Sequence, residues 1–86
     1  MIRRQVTRTG KDKDGDITSL CNPGHHWSPR KKADAIKDIE GGSIGYFVKV
    51  GKDEVDVVVA KRGNTKYLRT DPDKTTKNNL EELPDC

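Results

Sequence analysis

Aromatic side chains are scarce in this 86-residue sequence, which has one Trp, one Phe and two Tyr. Its core must therefore be largely aliphatic, and Tyr46, Phe47 and Tyr67 are needed there before they can serve as stacking platforms for nucleic-acid bases. Long apolar runs are missing too, since nothing approaches the roughly 18 residues that mark a membrane-spanning helix. Met1-Ile2-Arg3-Arg4 lacks the apolar stretch of a secretion signal, so a cytoplasmic location with no membrane partner is expected. Two cysteines, Cys21 and Cys86, are too few for a disulfide framework, and reduced thiols are the expectation. Cys86 is the last residue rather than the fourth from the end, which excludes prenylation.

Charge is what the chain has in abundance. Charged residues make up 36% against 30% hydrophobic, a polar balance for a folded domain. A chain this short buries only about 60% of its unfolded surface, so residues 1–86 are expected to form a single small domain, and a homodimer would add missing core area. The net charge of +3 is unevenly placed: residues 1–70 hold 15 Lys and Arg against 9 Asp and Glu, and residues 71–86 hold 2 against 5. A basic body of this kind permits nucleic-acid contact, but it equally permits the acidic tail to fold back onto it.

Ser28 to Gly42 is the one segment that reads as a full helix, with Ser28 as N-cap, Pro29 at the first helical position and Gly41-Gly42 as the stop. Ala33, Ala35, Ile36 and Ile39 share one side, with Lys32 inside that arc, and Arg30, Lys31, Asp34, Lys37 and Asp38 share the other. Arg30 with Asp34 and Asp34 with Lys37 read as surface ion pairs. Before the helix, alternation gives one strand over Ile2–Thr7 and a second over Ile17–Cys21, with Asp14-Gly15 as a hairpin signal between them. Trp27, just ahead of the helix, is expected to pack.

After the helix, Ile44, Tyr46, Val48 and Val50 line one face of a third strand. Val55, Val57 and Val59 line a fourth, and Thr65–Thr70 makes a fifth with Tyr67 and Leu68 on opposite faces. In the tail, Asp71-Pro72-Asp73 is a turn, and Asn78-Asn79 can cap one helical turn that ends at Leu83-Pro84. Leu80 and Leu83 would make residues 71–86 an acidic clip onto the domain. The fold class is α+β: β-β-α-β-β-β, a small, mostly antiparallel sheet with the helix on one face.

Chemistry-bearing constellations are weak. Asp12, Asp14 and Asp16 have the spacing of calcium-loop ligands, but Ile17 and Pro23 stand where that loop needs glycine and a bidentate glutamate. Cys21, His25, His26 and Cys86 match no paired zinc pattern. No oxyanion hole or orienting carboxylate accompanies Cys21 and the histidines. No metal, no cofactor and no catalytic activity are expected.

Ser28-Pro29, Ala35-Ile36, Ile39-Glu40, Tyr46, Val48, Tyr67-Leu68-Arg69-Thr70, Pro72-Asp73, Asn78-Asn79-Leu80 and Leu83-Pro84, in this order, make the chain similar to a bacterial domain-of-unknown-function family, 3892. The resemblance implies a small intracellular fold and brings no reaction, ligand or site. Within its most specific stretch Tyr67, Arg69, Asp71, Asp73, Asn78 and Asn79 are the candidate binding residues, Arg69 either locking the Pro72 turn or presenting a fork to an anion. The expected function is a non-catalytic protein-interaction module with an unknown protein partner. The alternative is a nucleic-acid-binding protein using its basic body.

Overall fold

The computed structural model describes residues 1–72 and 78–86. It is an α+β fold with the elements β1 (Ile2–Gln5), β2 (Arg8–Lys11), β3 (Ile17–Cys21), β4 (Arg30–Lys31), α1 (Lys32–Gly41), β5 (Ile44–Val50), β6 (Asp53–Arg62), β7 (Thr65–Thr70) and a 3-10 helix, Asn79–Glu82. The strands form two sheets, ordered β1-β5-β6-β7 and β2-β3-β4. Among the strands of the described residues only β1 and β5 run parallel, with Ile2 opposite Ile44 and Gln5 opposite Phe47, and an isolated parallel bridge joins Thr9 to Asp85.

The expected first strand is divided, because consecutive residues pair with different sheets. Val6 donates its N–H to Phe47 O at 2.8 Å, and Thr7 donates to Cys21 O at 2.9 Å. Val6, 1% exposed, is the buried hinge of this crossing. The antiparallel β2–β3 hairpin then carries Asp14-Gly15 at its tip. Ile17 and Leu20, three residues apart, are both buried, and the register shift between Gly10 and Lys11, opposite Thr18, is what lets an odd spacing reach one core.

The helix begins later than the Ser28-Pro29 signal implies. Ser28 Oγ accepts from Asn22 N at 2.9 Å instead of capping a helix, and Arg30-Lys31 pair with Leu20 and Ser19 of β3. Pairing with an existing strand satisfies main-chain groups that a helical first turn would leave open, so the long-range partner overrides the local cap. The shorter helix buries Ala35 and Ile36, whereas Ala33, expected on the core side, is exposed. Arg30, lying outside the helix, pairs with Asp38 rather than Asp34. The stop is as expected: Gly42 takes φ 77° and returns its N–H to Ile39 O, a conformation glycine adopts without a Cβ clash.

The core gathers Val6, Ile17, Leu20, Ala35, Ile36, Tyr46, Val48, Val57, Leu68 and Leu80, with Trp27 and Leu83 packed at its margin. Leu80 belongs to the tail and is fully buried. Around it, Thr9 Oγ1 donates to Leu80 O at 2.9 Å, Thr9 N donates to Pro84 O, and Cys86 N donates to Thr9 O. Lys11 Nζ reaches the Asp85 carboxylate at 2.9 Å, an instance of acidic tail on basic body.

The expectation of reduced thiols is overturned. Cys21 and Cys86 form a disulfide, with Sγ atoms 2.04 Å apart across a sequence separation of 65. The tail, returning beside β2, brings the last residue against the end of β3. No helix among the described residues is long and apolar enough to cross a membrane.

Candidate functional site

The residues singled out in the closing stretch divide between structural and accessible positions. Asn78 spends its side chain on the β7 edge: Oδ1 accepts from Thr70 N and Leu80 N, each at 3.2 Å, and Nδ2 donates to Leu68 O at 3.3 Å. It thus caps both the 3-10 helix and the sheet. Asn79 is buried, with its N–H on Thr70 Oγ1 and its Nδ2 without a hydrogen-bond partner among the described residues. Arg69 Nε donates to Thr70 O at 3.1 Å, and Asp71 N donates to Asp56 O. Asp73 lies outside the described residues. Tyr67 alone of the six presents a ring to a cleft, of about 240 Å³, which Asn78 also lines together with Lys32, Arg62, Asp16 and Glu81. There the Arg62 guanidinium sits 5.3 Å from the Tyr67 ring centre. Two cations and two carboxylates in one small cleft leave it without a preferred sign of ligand.

A second constellation, not apparent from local sequence, joins four elements. Tyr46 Oη donates to Asp38 Oδ2 at 2.6 Å, and Arg4 Nη1 donates to Tyr46 Oη at 3.0 Å. Arg30 grips both Asp38 oxygens at 3.0 Å. This is the two-pronged geometry that suits guanidinium and carboxylate. Burial opposes ionisation of Asp38, but hydrogen bonds from Arg30 and Tyr46 outweigh it and hold the carboxyl below its ordinary range. Burial, together with the bond donated to Asp38, pushes the Tyr46 phenol up. With one Asp between two Arg, the network is a net positive anchor tying β1, β4 and β5 to α1.

Beside it opens the candidate site, a cleft of about 440 Å³ along the edge strand β1, faced by the 22–27 loop. Its cations are Arg3 and Arg4, its rings Trp27 and Phe47, and His25 and His26 stand at its rim. None of its lining residues among the described ones is an Asp or Glu. Arg4 lies 5.4 Å from the Trp27 ring centre and 5.8 Å from that of Tyr46, while Arg3 lies 4.5 Å over Phe47 on the opposite face of the sheet. Arg3 and Arg4, neighbours in one extended strand, thus face opposite ways. Arg3 is also clamped by Glu54 at 2.6 Å and Asp56 at 2.8 Å. Trp27 packs edge-on against Tyr46, centroids 5.7 Å apart.

The main chain of β1 matters as much as its side chains. Ile2 and Val6 direct their N–H groups to β5, so the alternation of a parallel pair turns those of Arg3 and Gln5 outward. Asn22 Nδ2 takes the Gln5 carbonyl at 3.0 Å, so the edge stays open, among the described residues, at the Arg3 peptide groups and the Gln5 N–H. The cleft thus offers main-chain pairing, rings and positive charge together. No nucleophile with a neighbouring base is present in it.

A family model described as a protein of unknown function (DUF3892) matches residues 5–84. No curated protein and no solved structure matches the chain.

Proposed function

We propose that this chain, which belongs to the DUF3892 family, is a non-catalytic protein-interaction module that takes an extended, acidic segment of a partner protein onto the open edge of β1. The observation that carries this reading is the coincidence, in one cleft, of the outward Arg3 main chain with the rings of Trp27 and Phe47 and with the Arg4 guanidinium, whose hydrogen bond goes to the Tyr46 hydroxyl rather than to a carboxylate. A peptide adding as a fifth strand draws affinity from the main chain and selectivity from alternate side chains. Carboxylates on such a peptide complement the local charge.

Nucleic acid, the alternative, is less well served. Phosphate tracking needs a stripe of free cations, but Arg3, Lys11, Arg30 and Lys66 are each paired with a carboxylate. The test is fluorescence anisotropy of the full chain with a labelled peptide alternating valine and glutamate, its glutamine counterpart, and mixed-sequence single-stranded DNA, at two ionic strengths. The acidic peptide should bind best. Arg3→Pro removes an N–H that the β1–β5 ladder does not use and should abolish peptide binding while the fold persists. Tight, salt-sensitive DNA binding that survives Arg3→Pro would favour the nucleic-acid reading instead.

A further inference from the structure

The Cys21–Cys86 bond has a setting that a purely structural crosslink does not require. Cys21 is 3% exposed whereas Cys86 is an exposed residue, so Cys86 is the side from which an external nucleophile approaches the bond. A depression of about 370 Å³ opens onto the pair, walled by Pro23, Ser28 and Pro29 and floored by Ser19. The Ser19 hydroxyl lies 4.0 Å from Cys21 Sγ and 4.0 Å from Cys86 Sγ, so it can donate to whichever sulfur becomes a thiolate.

Ser19 owes that position to its cross-strand neighbour. Gly10 pairs directly with Ser19, and a Cβ at Gly10 would collide with Ser19 Oγ. Arg8, paired in register with Cys21, sends its guanidinium to the Asp85 carbonyl at 3.3 Å, beside the same bond. An exposed cysteine in the pair, a donor shared by both sulfurs and an arginine on the residue paired with Cys21 are the features that favour thiol–disulfide exchange.

We infer that Ser19, Cys21 and Cys86 form a thiol–disulfide exchange site for a low-molecular-weight monothiol. The incoming thiolate attacks Cys86 Sγ. A new S–S bond forms there as the Cys21–Cys86 bond breaks, and the electron pair leaves on Cys21 Sγ, where the Ser19 hydroxyl donates to it. A second thiolate attacks the external sulfur of the mixed disulfide, releasing the oxidised thiol dimer and the Cys86 thiolate. Two monothiols are thus oxidised, the protein disulfide accepts two electrons, and the protein thiolates take protons from water. In a reducing compartment the dithiol form would be restored after each oxidation.

The experiment treats the oxidised, folded full chain with millimolar reduced glutathione, quenches by acid, and follows intact mass and alkylated peptides over time. The expected course is opening without denaturant, through a glutathione adduct on Cys86. Ser19→Ala, checked for fold by its amide spectrum, should slow opening by about tenfold, the loss of one hydrogen bond to a charged group. Thr18→Ala, at the exposed neighbouring position, should not. An adduct mapped to Cys21, opening only in denaturant, or an unaltered rate in folded Ser19→Ala would overturn the inference. The mapping in the natural sequence decides by itself if Ser19→Ala does not fold.

Discussion

Thr9 and Leu80 lie 71 residues apart, both fully buried, and are joined by a 2.9 Å hydrogen bond from the threonine hydroxyl to the leucine carbonyl. The same threonine exchanges main-chain bonds with Pro84 and Cys86. One residue of β2 therefore seats the tail at three points. Thr9→Val keeps the shape and removes the donor that satisfies a buried carbonyl. It should cost about 1–2 kcal/mol in urea unfolding. An unchanged midpoint would mean that the tail is held by its other contacts alone.

Leu80 is the apolar counterpart of that seat, packed into the core cluster beside residues of both sheets. Leu80→Ala should lower stability by about 2–4 kcal/mol, because a chain this small has little capacity to close the cavity. Removing residues 78–86 should cost more, since it also removes the Asn78 caps and the disulfide. A truncated chain that melts with the intact one would dismiss the tail as an accessory.

The Arg4–Tyr46–Asp38–Arg30 network predicts two pH limbs. Asp38 titrates below its ordinary value of 3.8, so its contribution is present above that value and is lost as pH falls through the lower folded value. Tyr46 titrates above its ordinary 10.0, so its contribution is present below that value and is lost as pH rises through the higher folded one. Unfolding midpoints measured from acid to alkali should fall at both ends. Asp38→Asn should lower the neutral plateau and shallow the acid limb, and an acid limb identical to that of the natural sequence would assign it elsewhere.

Zinc or calcium added to chelator-treated protein should shift neither its melting temperature nor its amide spectrum. Asp12 Oδ1 already accepts from Asp14 N at 2.9 Å and Asp16 N at 3.0 Å, folding the hairpin tip on itself as an Asx turn. A stoichiometric rise in melting temperature would instead locate a bound metal.

Much of the fold was legible where the signal is short-range. Thr65–Thr70 is a strand to the residue, Tyr46 with Val48 and Val55 with Val57 face inward as their alternation implies, and Asn78 caps a short turn carrying Leu80. The failures are all long-range. Ser28-Pro29 looks like a helix start until β3 is there to pair with Arg30-Lys31, and Arg30 finds Asp38 only because that strand pairing takes it out of the helix. The disulfide needs the tail to return across 65 residues. The candidate cleft was hidden for the same reason: β1, the 22–27 loop and Phe47 meet through a parallel β1–β5 pairing that no hairpin signal announces.

Each outer edge of the four-stranded sheet ends against an asparagine side chain, but the two endings are unequal. Asn78 imitates a whole peptide unit, giving a donor to Leu68 and an acceptor to Thr70, whereas Asn22 gives its donor to the Gln5 carbonyl and its acceptor to the Thr7 hydroxyl, a side chain rather than the main-chain edge. Lateral growth of the sheet therefore has a direction. A segment adding to this sheet in the way proposed above meets open main chain at Arg3 on the β1 side but an occupied Leu68 carbonyl and Thr70 N–H on the β7 side, so docking is biased to one flank.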